Sequence, residues 1–366
     1  MNELTLAGLA AAALPETDFS RVYARTTTGG IAHAIVESTT GKRFEIAAPT
    51  NHAQAAELLS ELPILKLLAG LRDENQFPLQ TPLPCGWAKT AVGHAFLFPQ
   101  LPGTPRKSTD IWTDTHLAVG LGRALAVLHA LPTTQVSSLG VPNYSLPTCR
   151  QRLLTSLKQV ESSKIVPTAL EKRWRAKLAN ETWWQAPAQF VHGAIDEDSL
   201  CFKGDTVVAL QYFSSAHIGD VARDFSWFFA AATPQCQEAC LESYFAAGGR
   251  QDEFLTKRIE LDAEMAMVRW LLHGLTTENA DIVNDARVMM RDLVNFIGEG
   301  DSADTVTAAF SQPIPIVGTP LTGITEIGQA SQASQASQAY PQAPTGSDTA
   351  TVVMSEDEIR QLFTNT

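Results

Sequence analysis

The chain has 366 residues, 45% hydrophobic and 18% charged, which is enough apolar side chain to bury at least one sizeable core. With 39 acidic against 27 basic residues it carries a formal charge of -12, a balance that repels a phosphate backbone or an anionic membrane surface. Five cysteines, an odd number at irregular spacing, predict free thiols and a reducing cytoplasm rather than a disulfide framework.

The apolar run 4–14 follows Asn2 and Glu3 instead of a basic segment and is too short to span a bilayer. It predicts an amphipathic first helix. Residues 22–28, 33–38 and 43–48 are rich in alternating and β-branched positions, and Gly29-Gly30 and Thr40-Gly41 supply turns between them, so an antiparallel meander is expected. Gly29-Gly30 lacks the GxGxxG pattern and reads as a plain hairpin turn. From 54 to 68, apolar residues recur every three or four positions and predict a helix that Pro63 must kink or divide. A strand pair including 95–98 follows and closes at Leu101-Pro102-Gly103. Helices are expected over 115–131, 170–184, 224–232, 253–275 and 282–296, with short strands at 190–192, 200–202 and 207–212. A β-rich amino-terminal part before a mainly helical one predicts two lobes with a cleft between them.

The most informative stretch is 191–227, where polar residues cluster in the loops of a strand, loop, hairpin and helix start. His192-Gly193, Ile218-Gly219-Asp220 and Arg223-Asp224 stand at the spacing of the catalytic segment of the aminoglycoside and macrolide phosphotransferases, and the chain resembles that family over residues 4–298. Further likeness to bacterial members comes from the first helix, the 120–132 helix, Arg173-Trp174 and Arg269-Trp270. The resemblance implies an α+β, bilobal, protein-kinase-like fold: a β-rich N-lobe with its leading helix over 1–103 and a helical C-lobe over 104–300.

It also implies four chemical positions. A kinase-type site needs a cation for the nucleotide phosphates, an aspartate to accept the substrate proton, and an Asn and a second Asp to hold Mg²⁺. On the family pattern these fall at Ala47, Ala194, Ser199 and Gln211. Alanine accepts no proton, Ser and Gln are weak Mg²⁺ ligands beside carboxylates, and Ala47 leaves phosphate charge unpaired. The expectation is therefore a pseudokinase-like binding or regulatory module, with no metal and no nucleotide cofactor, that takes a small molecule in the cleft or a protein partner. The alternative is an ATP- or GTP-dependent phosphotransferase, using Mg²⁺ and acting on a hydroxyl of a small metabolite or antibiotic, in which His192 and Asp196 or Asp198 rebuild the site. Against it, Asp196, Glu197 and Asp198 read as a solvated acidic loop. His192, Asp220 and Asp224 read as bracing residues, with His192 donating to the loop backbone. Glu61, lacking its basic partner, reads as an ordinary exposed helix acid. Cys236 and Cys240 read as packing residues, and the scattered histidines offer no metal set.

Residues 301–348, with a Gln-Ala-Ser repeat, predict a disordered linker. Residues 301–366 hold seven acids and a single base, Arg360, a net of -6, so half the excess charge lies outside the predicted core. At 349–366, Ser355 and Glu358 have capping-box spacing, and Ile359, Leu362 and Phe363 form one apolar edge. A short helix docking on a partner is expected there. Thr349 and Thr351, beside acids, read as candidate phosphorylation sites.

Overall fold

Asn2 caps the first helix, α1 (Glu3–Ala13), by accepting the Thr5 N–H, and Leu6, Ala10 and Ala13 form its buried stripe. The meander follows as β1 (Phe19–Ala24), β2 (Ile31–Ser38) and β3 (Arg43–Pro49). Next come α2 (His52–Asp73), β4 (Gly86–Thr90) and β5 (Gly93–Pro99), and the five strands pair antiparallel in the order β1-β2-β3-β5-β4. In this computed structural model the described residues are 1–25, 31–298 and 359, so the Gly29-Gly30 turn lies outside them.

The alternation of the strands gives the sheet two apolar faces. On one, Ala34, Val36, Ile46, Ala48 and Leu97 pack with α1. On the other, Ile31, Ala47 and Phe96 pack with Leu58 and Leu62 of α2. Pro63 sits inside α2, which continues on both sides of it, so of the two expected effects it does not divide the helix. A proline removes one backbone N–H, and the buried Leu62, Ile64, Leu65 and Leu68 around it hold the remaining turns in place.

The helical part comprises α3 (Ser108–Thr113), α4 (Thr115–His129), α5 (Thr133–Ser137), α6 (Leu146–Glu161) and α7 (Thr168–Ala179). A 3-10 turn at Glu181–Trp184 interrupts what the sequence predicts as one helix over 170–184. The short strands are β6 (Gln189–Val191), β7 (Leu200–Lys203), β8 (Thr206–Leu210) and β9 (His217–Gly219), with β6 pairing β9 and β7 pairing β8. The last four helices are α8 (Ala222–Phe229), α9 (Pro234–Ala246), α10 (Leu255–Thr276) and α11 (Ala280–Ile297). Helices α3, α5, α6 and α9 lie outside the helix ranges predicted from sequence. In α6 the buried Leu153, Leu157 and Val160 are separated mostly by Thr, Ser, Lys and Gln, which hides the stripe in a polar average.

The chain divides into two compact units: residues 1–103, 208–214 and 359 belong to the first, and Thr104–Val207 with the stretch from Ser215 to the second. The resemblance did not anticipate that 208–214 returns to the first unit. All five cysteines are free, and Cys236 and Cys240 are buried. Gly122 of α4 explains part of that packing, because a Cβ there would meet the Cys240 carbonyl at 2.1 Å. No helix among the described residues is long and apolar enough to cross a membrane.

One buried carboxylate organises the larger core of the second unit. Glu264 of α10 accepts from the Trp174 indole N–H at 2.6 Å, from Lys177 Nζ at 2.9 Å and from the Arg173 guanidinium at 3.1 Å. Burial by itself raises its pKa, but the two cations and their hydrogen bonds win and hold it below the usual carboxylate range. Glu264→Ala strands two buried cations and is expected to cost about 3–5 kcal/mol, read as a lowered denaturation midpoint in urea, with Glu264→Gln in between.

Candidate functional site

The loop between β6 and β7 is built around a buried aspartate. Asp224, fully buried in the first turn of α8, accepts the His192 N–H at Oδ2 (2.8 Å) and the Gly193 N–H at Oδ1 (2.7 Å). Its Oδ2 also lies 3.0 Å from Nε2 of His129, the last residue of α4. Burial raises the pKa of this carboxyl, but the hydrogen bond and charge of His129, aided by His192 and the Gly193 N–H, override it and hold the group below its ordinary value. Gly193 has φ +82°, and a Cβ there would meet the Ser215 carbonyl at 2.3 Å, so only glycine fits. The Gly193 carbonyl in turn accepts from Arg223 Nε at 2.9 Å. His192 is buried, and its Nδ1 accepts the Ala194 N–H at 3.4 Å.

The acidic residues of this loop are not a solvated cluster. Asp196 is buried and accepts the Ser199 N–H at 2.8 Å, while its own N–H donates to Ser199 Oγ at 2.9 Å and its carbonyl accepts from that hydroxyl at 2.8 Å. Such a reciprocal pair closes a tight turn. Glu197 accepts from both the backbone N–H and the hydroxyl of Ser108, the first residue of α3. A carboxylate belongs there, where the helix presents free N–H groups. Asp198 is partly exposed. Ala194 and Ser199 are both buried.

Asp220, at the end of β9, accepts from Arg258 Nε at 2.7 Å and NH2 at 3.2 Å, and from the Ala222 N–H at 3.1 Å. Arg258 also donates to Asp252 at 2.6 Å. A second pair of cations, Arg223 and Arg269, meets Asp262 at 3.3 Å and 2.9 Å. The polar residues of this unit are thus tied to one another by pairs both near and remote in sequence.

Ala47 and Gln211 lie in the first unit, Ala194 and Ser199 in the second. Ala47 sits on the α2 side of the sheet, opposite His33 of β2 and Phe96 of β5. Gln211 is buried, and the residue after it, Tyr212, adopts φ +70°, a left-handed conformation uncommon for a side chain of this size. The Tyr212 ring meets His33 edge-on at 6.2 Å, and the Phe213 N–H donates to Glu61 Oε2 at 2.9 Å. Ser214 Oγ donates to Glu57 at 3.0 Å. Segment 211–214 is thereby pinned to α2.

Glu61 corrects the sequence reading, since it is 9% exposed and not a surface acid. Burial pushes its carboxyl up to about 8, helped by the neighbouring Glu57 and opposed by the Phe213 N–H. His129 and Glu57 were missed as site residues. A histidine ending the buried face of an apolar helix was the available signal for the first; for the second there was none.

The residues present do not fit Mg²⁺–nucleotide chemistry. No group of three or more His, Cys, Asp or Glu among the described residues is arranged to hold a metal ion. An amide at 211 and a hydroxyl at 199 are poor ligands for a hard cation, and Ser199 Oγ is already engaged with Asp196. Thr349, Thr351, Leu362 and Phe363 lie outside the described residues; Ile359 lies within them and is fully buried.

Glu61 sets a pH dependence. The folded state holds a proton that the unfolded chain gives up near the ordinary value of 4.5, so its contribution is complete below about 4.5 and is lost as pH rises to about 8. Each pH unit across that window costs up to about 1.4 kcal/mol. Glu61→Gln is expected to match the parent at pH 5 and to melt several degrees higher at pH 8, measured by calorimetry.

Comparison with known proteins agrees with this architecture. The profile of the phosphotransferase enzyme family matches residues 14–260. Among solved structures, the macrolide 2'-phosphotransferase MphH apoenzyme from Brachybacterium faecium is 21% identical with a TM-score of 0.66, covering 77% of this chain and 96% of its own. The GDP complex of aminoglycoside 2'-phosphotransferase-IIIa is 18% identical with a TM-score of 0.67, covering 80% and 98%. Macrolide 2'-phosphotransferase type I is 19% identical with a TM-score of 0.65, covering 78% and 96%. No curated protein matches. With two thirds of its length matched by one profile and a kinase-like, aminoglycoside phosphotransferase-type fold, the chain belongs to the phosphotransferase enzyme family.

Proposed function

We propose that this member of the phosphotransferase family is catalytically inactive and acts in the cytoplasm as a binding or regulatory module, requiring neither nucleotide nor Mg²⁺. The observation that carries this reading is the use made of the carboxylates beside the four altered positions. Asp196 is spent on the Ser199 turn and Glu197 on the start of α3, so neither is free to replace the proton acceptor lost at Ala194. Moving either into a reacting position would break bonds that hold the loop, and a catalytic group must be placed to about half an ångström. General-base catalysis contributes about 10²- to 10⁴-fold, and metal electrostatics add to it, so the combined loss leaves negligible phosphoryl transfer. Five free thiols agree with a reducing compartment.

Catalytic relatives of this fold include proteins described with GDP, which makes nucleotide binding the measurement to perform. A ligand at a hundred times its Kd adds about 2.7 kcal/mol of stability. The expected result is an unchanged melting temperature in millimolar ATP or GTP with Mg²⁺, and no nucleotide consumption. A metal-dependent rise of several degrees, together with turnover abolished by Asp198→Ala, would establish the alternative: a small-molecule kinase with a rebuilt acidic loop.

A further inference from the structure

Ile359 is separated from Gly298 at the end of α11 by about 60 residues, yet its side chain is fully buried in the first unit. It packs with Ile31, Ala47, Leu58, Leu62 and Phe96, on the sheet face opposite α1. The strand register explains the place it fills. His33, Ala47 and Phe96 are cross-strand partners, so their side chains share one face, and Ala47 is the short one between two rings. Leu58 and Leu62, four residues apart on α2, form one wall. The result is an apolar site whose floor exists because position 47 has no long side chain.

Ile359 has helical backbone, and Ser355 and Glu358 before it have capping-box spacing. An aliphatic anchor on a helix lying in an apolar groove is a recurring mode of peptide recognition. A lysine at 47 would fill with its own chain the space this aliphatic group occupies, so the contact requires a short side chain there.

We propose that the first unit carries a helical-peptide-binding site at Ala47, and that its resident ligand is the chain's own C-terminal segment centred on Ile359. Where the family resemblance puts a phosphate-pairing cation, this chain holds a tethered peptide. Covalent attachment makes the contact intramolecular, so an affinity of only roughly ten micromolar as a free peptide keeps the site filled. The proposal rests on the reading that position 47 has no role toward phosphate; its test makes no use of nucleotide, so either can fail alone.

Hydrogen exchange of the full chain, read by mass spectrometry, tests it. Ile359→Asp and Ala47→Lys are expected to speed exchange over 44–48, 58–65 and 95–98 by about tenfold or more, while 255–297 keeps its parent rates and Ile359→Leu keeps them everywhere. Should Ile359→Asp lower stability generally, a synthetic 349–366 peptide added to that variant restores protection over the three segments, and the same peptide carrying the Asp does not. Parent-like exchange in Ile359→Asp overturns the proposal. So does acceleration spread evenly over both units without rescue by the peptide, or protection that depends on protein concentration, which would mark exchange of the segment between two copies.

Discussion

A single carboxylate without solvent exposure sets the geometry of the loop where this family keeps its chemistry. Asp224 joins the end of α4, the start of α8 and the backbone of His192 and Gly193. Three donors aimed at one buried anion make a rigid knot, because removing the anion leaves two N–H groups and an imidazole without the partner that balances their desolvation. The glycine with its positive φ and the buried histidine are consequences of the same knot. Phosphoryl chemistry alone does not explain the survival of such residues: each one holds the loop, whatever the loop then does.

This separates the scaffold from the reaction. Residues matching the family motif, His192, Asp220 and Asp224, are all engaged in bonds between elements, and those bonds have partners such as His129 and Arg258 elsewhere in the chain. On the family pattern, the positions expected to touch a metal, a proton or a phosphate are the altered ones. An Asp-to-Ala change at 194 would remove a group expected to face a reactant and cost the fold little. A change at 224 would cost the fold itself. Selection on stability alone keeps the first set and releases the second.

The order of elements was legible because it is written in local periodicity. The 3.6-residue stripe of α4 and the alternation of β2 and β3 are readable within a few residues. Pro63 stays within α2, where the packing of Leu62, Ile64 and Leu65 outweighs one missing backbone bond. Burial of charge was not legible, since its causes are long-range: Glu264 meets Arg173 across 91 positions and Glu61 meets Phe213 across 152. Glu197 looked solvated for the same reason, while Asp196 meets its partner three positions away in a turn that spacing alone did not disclose. Their partners Ser199 and Ser108 are ordinary serines until the loop is closed. The apolar edge at Ile359 could be read from spacing, but nothing local says which surface receives it.

Ala47 and Glu61 can be understood as one electrostatic change. In a kinase-type site a β3 cation and an α2 acid neutralise each other and the phosphates beside them. Remove the cation and the acid is left with desolvation and with Glu57, both of which oppose ionisation, so it takes up a proton and its pKa rises to about 8. A protonated carboxyl can still accept the Phe213 N–H, and it can stay buried beside apolar surface without a counter-charge. With Ile359 proposed to lie over Ala47, the aliphatic contact then meets a neutral carboxyl on α2, while Glu45 on the same strand keeps its own partners, His33 and Arg25. On the family pattern, the face would pass from pairing anions to covering hydrocarbon by losing one side-chain charge.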